Sequence, residues 1–243
     1  MSGAVRIFLY NWPTYALTWS GAAAAFLVAG RVAGALGGLL VLGAAVALAW
    51  SAVSLLVSHY IYDRSALPAA SWVRALVPSR VDAWASIDAG LDAEVELDGI
   101  FPGTCIARID VFGGRSVTSG SIHRARAISP RARAAVSAPP GSLPLADGSC
   151  DLVAVIFTAH EIRDPAERES FFREVSRALR TGGRMLLVEH LRDIPNFLAF
   201  GPGFLHFVGR AEWLRLANAA NLSIAADARV TPWVMALTLE KTQ

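Results

Sequence analysis

Three stretches decide the fold: Asp151-Leu152-Val153-Ala154-Val155-Ile156-Phe157-Thr158, then Asp164-Pro165-Ala166-Glu167-Arg168-Glu169-Ser170-Phe171-Phe172-Arg173-Glu174-Val175-Ser176-Arg177-Ala178-Leu179-Arg180, then Arg184-Met185-Leu186-Leu187-Val188-Glu189. The first is an apolar run of the length expected of a strand buried on both faces. The second predicts a helix over Pro165–Arg180. Asp164 can cap it, Pro165 suits the first helical position, and Glu167 and Glu169 favour the positive end of the helix dipole. Phe171, Phe172, Val175 and Leu179 form its apolar stripe, and Gly182-Gly183 is the expected stop. The third is another buried strand. Strand, helix and strand in this order predict parallel pairing with a covering helix.

The alternation extends in both directions. Upstream, Ala83–Asp88 reads as a strand, Leu91–Ile100 as a helix, Cys105–Phe112 as a strand, Ser119–Ile128 as a short helix and Ala134–Ser137 as a weak strand. Downstream, Arg210–Ala220 reads as a helix, and Ser223–Val230 and Trp233–Leu239 as strands. Two residues separate these last strands, too few for a crossover, so they must run antiparallel. The expected fold class is therefore α/β, a Rossmann-like, doubly wound, mostly parallel sheet with an antiparallel last strand. Ligands of such sheets gather at the carboxyl ends of the strands.

The chain before this domain is of another kind. Ile7–Gly30 and Val32–Tyr62 contain no Asp, Glu, Lys or Arg, and Arg6 and Arg31 are the only such residues in 1–62. About 20 helical residues cross a hydrocarbon core of about 30 Å, so the sequence predicts a two-helix transmembrane hairpin in 1–62. Its spans are Thr14–Ala33 and Leu39–Tyr60, turning at Gly34-Ala35-Leu36-Gly37-Gly38. Both runs are too long for a signal-peptide core. Arg6 before the hairpin and Arg64, Arg74 and Arg80 after it outweigh Arg31 in the turn, which puts both ends in the cytoplasm. The expected location is the cell inner membrane or plasma membrane, multi-pass, with the domain of 83–243 cytoplasmic. Residues 63–82 read as an interfacial linker: Trp72, Val73, Leu76 and Val77 either rest on headgroups or pack on the chain's own domain.

Composition narrows function. The 243 residues are 54% hydrophobic and 17% charged, against about 25% charged in an ordinary soluble domain, which excludes disorder and a collagen-like chain. Beyond residue 62 basic and acidic residues balance, so no nucleic-acid partner is indicated. Cys105 and Cys150 lack metal or CxxC spacing and read as buried thiols. His160-Glu161 lacks the second histidine of a zinc-protease signature, and no metal is assigned. Oligomeric state is left open.

Leu143-Pro144-Leu145-Ala146-Asp147-Gly148-Ser149-Cys150-Asp151-Leu152-Val153, with the helix ending Arg177-Ala178-Leu179-Arg180-Thr181-Gly182-Gly183-Arg184, resembles the central part of class I S-adenosylmethionine-dependent methyltransferases, over about Trp84–Lys241. The resemblance implies S-adenosylmethionine as cofactor. Asp88-Ala89-Gly90-Leu91-Asp92 matches the family's first glycine loop. It keeps the acid and first glycine but puts Leu91 and Asp92 where small residues are usual. Asp88 and Gly90 would hold the methionine end, and Asp92 would either receive the ammonium group or oppose the carboxylate. Asp110 is placed for the two ribose hydroxyls. Ser137-Ala138-Pro139-Pro140 stands where an acid or amide near the adenine is usual.

Phe157, Thr158, His160 and Glu161 fall at the sheet edge where the family places cofactor contacts and reacting groups. His160 is the candidate general base and Glu161 its orienting partner; the alternative is that both brace the next helix. His190 and His206 read as structural. The insertion Ile194–Val208, with Phe197, Phe200, Phe204 and Phe207, suits a lipophilic substrate or contact with membrane lipids. These features imply a membrane-anchored methyltransferase acting on a lipophilic small molecule. The alternative is a non-catalytic methyltransferase-like subunit for binding or assembly at the membrane.

Overall fold

The computed structural model describes residues 1–32, 34–77, 80–87, 95, 97–112, 120–128 and 135–242. Asp88, Gly90 and Asp92, and most of the expected helix Leu91–Ile100, lie outside the described residues.

Helix α1 (Gly3–Ala29) and helix α2 (Ala35–His59) form an antiparallel pair, extended by a π-helical turn Tyr60–Arg64. Small residues let them approach: Ala22, Ala44 and Gly37 are buried between them, and a Cβ on Gly37 would lie 2.4 Å from the Val32 carbonyl. Their bulky apolar side chains, among them Leu17, Leu27, Leu39, Leu42 and Leu56, point outward and are exposed. Asp63 ties the pair together at its base, accepting the N–H of Gly3 at 2.5 Å and of Ala4 at 3.2 Å. Among the described residues one helix, Ala35–Arg64, is long and apolar enough to cross a membrane. The first helix reaches comparable length but carries Asn11, Thr14 and Thr18 along one face.

A short helix α3 (Val73–Leu76) follows, then β1 (Ala83–Ile87), β2 (Thr104–Asp110), α4 (Gly120–Ile128), β3 (Val136–Ser137) and β4 (Cys150–Ile156). A 3-10 turn (Ala159–Glu161), α5 (Pro165–Ala178), β5 (Leu179–His190), α6 (Ile194–Phe200), a second 3-10 turn (Gly201–His206), α7 (Arg210–Ala219), β6 (Leu222–Thr231) and β7 (Val234–Lys241) complete the chain. The strands form one seven-stranded sheet in the order β3-β2-β1-β4-β5-β7-β6, with β7 alone antiparallel to its neighbours. The Rossmann-like sheet and its antiparallel last strand are as the sequence predicts.

Alternation along the central strands feeds two core layers. Val153, Val155, Met185 and Leu187 face α4, α5 and α7, where Phe172 stacks on Trp213 with centroids 5.9 Å apart. Leu152, Ala154, Leu186 and Val188 face the other side, against α3 and the base of the helical pair. Val73, Leu76 and Val77 are buried in this second layer, so the stretch after the hairpin packs on its own domain. Helix α5 begins as expected, with Asp164 accepting the Glu167 N–H at 2.8 Å. It ends two residues earlier than the sequence suggests. Leu179 turns extended to pair with Cys150, and Gly183 then passes so close to the Cys150 carbonyl that a Cβ would lie 2.9 Å from it.

Candidate functional site

The carboxyl ends of β2, β4 and β5 bring the sequence candidates to one edge of the sheet. Asp110, the last residue of β2, is 1% exposed. Its Oδ1 accepts the Phe112 N–H at 2.9 Å, and its Oδ2 pairs with Arg126 of α4. Beyond β4, Phe157 adopts a left-handed backbone conformation, φ +46°, which a bulky residue enters only when its surroundings force it. The forcing contacts are its N–H on the Val188 carbonyl at 2.9 Å and its ring packed on His190, centroids 5.0 Å apart. The Thr158 hydroxyl donates back to the Ile156 carbonyl at 2.8 Å, closing the turn.

Glu189, fully buried at the end of β5, organises the loop after β4. Its Oε1 accepts the backbone N–H of Ala159 at 2.8 Å and of His160 at 3.3 Å, and its Oε2 accepts His160 Nδ1–H at 2.6 Å. The other ring nitrogen of His160 lies 3.5 Å from Glu161 Oε1. Burial alone would lower the His160 pKa, but the carboxylates of Glu189 and Glu161 hold it well above the ordinary value. Glu161 is desolvated too, yet His160 and Arg163 bring it down to about 2. His160 and Glu161 are thus together, as expected, but as members of a buried ion network.

His190 has the opposite character. Its Nδ1–H donates to the Trp233 carbonyl at 2.9 Å, so its Nε2 accepts, and the Tyr62 hydroxyl donates to it at 2.8 Å. Burial, together with charge on His160, lowers it to about 3, so the ring is neutral. Burial likewise lowers His206 to about 4.

His190 and Tyr62 open onto a cavity of about 730 Å³ between the helical pair and the insertion after β5. Asn11, Thr14, Ser51, Ser54 and Ser58 give it a polar lining on the helix side, and Phe200 and Phe207 close it on the other. The Ser58 hydroxyl is buried there with no hydrogen-bond partner among the described residues. A shallower groove of about 380 Å³ shares Thr18, Gly43 and Ala47 with the cavity and runs on between the helices to Ala25 and Leu39. The insertion is fastened to α2 by Trp50, whose Nε1–H donates to the Leu198 carbonyl at 3.0 Å. His160 and Glu161 do not line this cavity. His160 borders instead a separate pocket of about 330 Å³ with Arg163, Arg168, Arg192 and His206.

The sequence reading did not foresee this wall. Tyr62 and Ser58 lie within a run read only as membrane anchor, and His190 was assigned a structural part. The available signal was the spacing of Ser51, Ser54 and Ser58, which puts three hydroxyls on one face of an otherwise apolar helix.

Residues 114–187 match a family model described as a methyltransferase domain. The chain is similar in structure to a SAM-dependent methyltransferase from Aquifex aeolicus, with TM-score 0.55 at 12% identity, over 79% of this chain and 98% of that one. It is also similar to geranyl diphosphate C-methyltransferase of Streptomyces coelicolor A3(2), solved with Mg2+, geranyl diphosphate and S-adenosyl-L-homocysteine. That likeness has TM-score 0.50 at 13% identity and covers 72% of this chain and 78% of the other. A third likeness is to the complex of the Haloferax volcanii Trm112 methyltransferase activator with a putative methyltransferase, TM-score 0.50, 13% identity, 75% and 92% covered. These identities establish the fold. No curated protein matches the chain.

Proposed function

We propose that this chain, which carries a methyltransferase domain of the class I fold, is a membrane-anchored S-adenosylmethionine-dependent methyltransferase whose acceptor is a lipophilic small molecule drawn from the bilayer. The observation that carries this reading is the cavity of about 730 Å³ walled on one side by the long helices and on the other by the edge of the sheet. A soluble acceptor would need no apolar groove leading away between two outward-greasy helices. In this reading the groove of about 380 Å³ holds the acceptor's apolar tail, and its polar head meets Ser58, Tyr62 and His190.

The residues present fit the cofactor at its ribose end. Asp110 ends its strand at the sheet edge, where a carboxylate can accept both hydroxyls, once Arg126 yields Oδ2. By the family resemblance the methionine end would fall to Asp88, Gly90 and Asp92, which lie outside the described residues, and to Phe157 and Thr158. The cofactor supplies an electrophilic methyl group on a sulfonium. The chain's part is alignment and exclusion of water, which give much of the acceleration in such transfers. Phe200 and Phe207 exclude water. Tyr62, its hydroxyl donating to His190, lines the cavity where the acceptor's polar head would sit. His160 and Glu161 act through Glu189, positioning the loop that carries Phe157 and Thr158.

Membrane anchoring rests on the exposed leucines of both helices and on the apolar length of Ala35–Arg64. The exposed Ile194, Leu198 and Leu205 of the insertion continue that surface. Arg126 on Asp110 favours the second reading, a non-catalytic subunit that binds no cofactor.

Calorimetry of the detergent-solubilised full chain with S-adenosylmethionine and S-adenosylhomocysteine separates the two readings. Native membranes given methyl-tritiated S-adenosylmethionine should then yield label in the organic phase, and Ser58→Leu, which fills the cavity, should abolish it without affecting cofactor binding. No cofactor binding by folded protein would reject the enzyme. Binding with label confined to water-soluble products would reject the bilayer acceptor.

A further inference from the structure

A second convergence of side chains lies beside the cavity and shares only His206 with its lining. His160 and Glu161 stand on the turn after β4, and His206 closes the 3-10 turn of the insertion. One donor atom from each lies within 4.8 Å of the others. Each residue also has its remaining polar atom held. His160 Nδ1–H is on Glu189 Oε2 at 2.6 Å, His206 Nδ1–H is on the Gly203 carbonyl, and Glu161 Oε2 accepts Arg163 Nη2–H at 2.6 Å.

Carbonyl and carboxylate oxygens only accept, so both imidazoles direct an Nδ1 hydrogen at them, which leaves Nε2 of each as the nitrogen that can face an ion once it carries no proton. A ring oriented by an acceptor on its far nitrogen is how proteins prepare histidine for a metal. We propose that His160, Glu161 and His206 form a binding site for a zinc-class divalent ion, with Glu189, Gly203 and Arg163 as their orienting partners. Two imidazoles with one carboxylate suit such a metal better than magnesium or calcium, which take oxygen ligands. Bond lengths of about 2.0–2.2 Å in a tetrahedron set ligand atoms roughly 3.4 Å apart, and His160 and Glu161 already stand 3.5 Å apart. The remaining gap closes by rotation of His206, the exposed member of the three. The ion displaces the proton that His160 Nε2 directs at Glu161, and that proton leaves to solvent through the pocket. Its fourth position faces the pocket of about 330 Å³, open to water or a small anion.

The consequence is mechanical. His206 belongs to the insertion that walls the acceptor cavity, while His160 and Glu161 belong to the sheet edge, so one ion would staple the cavity wall to the sheet. The ligands come from two separate stretches of chain, which is why no motif announced the site.

The test uses the full chain in detergent, treated with chelator, dialysed, and titrated with Co2+ and then Zn2+. One equivalent of Co2+ should give visible d–d absorption of tetrahedral intensity, bleached by one equivalent of Zn2+. His206→Ala, at an exposed position, should abolish that spectrum while circular dichroism and melting stay those of the folded protein. His59→Ala and His123→Ala, the remaining histidines outside this cluster and the cavity, should leave it intact. Zn2+ should also raise the melting temperature of wild type but not of His206→Ala. Folded wild type that takes up no stoichiometric Co2+, or a His206→Ala variant that binds like wild type, overturns the proposal. Neither result depends on methyl transfer.

Discussion

Asp110 gives the sharpest test of the cofactor assignment, because the carboxylate is spoken for on both sides. It is buried, one oxygen capping the Phe112 N–H at 2.9 Å and the other paired with Arg126. Asp110→Asn keeps an acceptor for Phe112 and nearly the same shape, but removes the charge that would hold the ribose diol. Hydrogen bonds to a charged group contribute about 1.5–3 kcal/mol, so the loss should weaken S-adenosylmethionine binding roughly 10- to 150-fold. Arg126→Ala probes the opposite side. The arginine must leave Oδ2 for the ribose to enter, and the pair is largely buried, with side chains 23% and 2% exposed, so breaking it opposes binding. Removing the arginine should leave cofactor affinity unchanged or tighten it. Calorimetry with S-adenosylmethionine and S-adenosylhomocysteine measures both variants, with circular dichroism as the check on folding. Native-like Asp110→Asn protein that binds as wild type would refute the ribose role. Loss of binding in Arg126→Ala would show that the arginine, and not the aspartate, faces the cofactor.

Two further outcomes follow from the geometry. His190 is lowered to about 3 by burial and by charge on His160, so the unfolded chain takes up a proton near its ordinary value of about 6.5 that the folded chain refuses. Its stabilising effect is therefore full above about pH 6.5 and declines as pH falls towards 3, at most about 1.4 kcal/mol per pH unit; urea midpoints between pH 6 and 4 should fall more steeply for wild type than for His190→Gln, and equal slopes would count against the neutral buried ring. Gly201 has φ +56° and a Cβ there would lie 3.2 Å from the Trp50 ring, so Gly201→Val should cost about 1–3 kcal/mol from backbone strain alone and shift Trp50 fluorescence, whereas Gly203→Ala, with nothing within 4 Å, should do neither.

What the sequence disclosed follows the range of the interactions. Local chemistry was legible: Asp164 and Pro165 start α5 where their types require, and the two residues between β6 and β7 force an antiparallel return. The end of α5 was not, because Leu179 leaves the helix to pair with Cys150 on a neighbouring strand, a contact that no local propensity encodes. The same reasoning divides the site. Asp110 and the Phe157–Glu161 turn are strand-end residues: the hydrophobic pattern placed their strands, and the resemblance to class I methyltransferases singled them out. Tyr62 and His190 are 128 residues apart, and only the folded sheet brings one against the other.

That junction also explains the polar residues of the first two helices. Along the turn-side half of the pair, Ala22, Ala44 and Gly37 are buried and allow close contact, leaving beside Ala22 and Ala44 the groove of about 380 Å³. At the base, Asp63 pins the start of α1, and a Cβ on Gly3 would lie 2.2 Å from that of Tyr62. The pair is thus clamped at both ends, and the space between the clamps is kept by Tyr15 and Trp50 and floored by the sheet-edge His190. Polar side chains inside an apolar helical pair are costly unless they meet a partner. Tyr15 and Ser54 meet each other at 3.3 Å, whereas Ser58, one helical turn nearer His190, meets no partner among the described residues. A purely structural hairpin gains nothing from a buried hydroxyl left unpaired beside a neutral histidine. In the proposed function the acceptor's polar head lies near Ser58 and His190, at the sheet edge rather than within the helices.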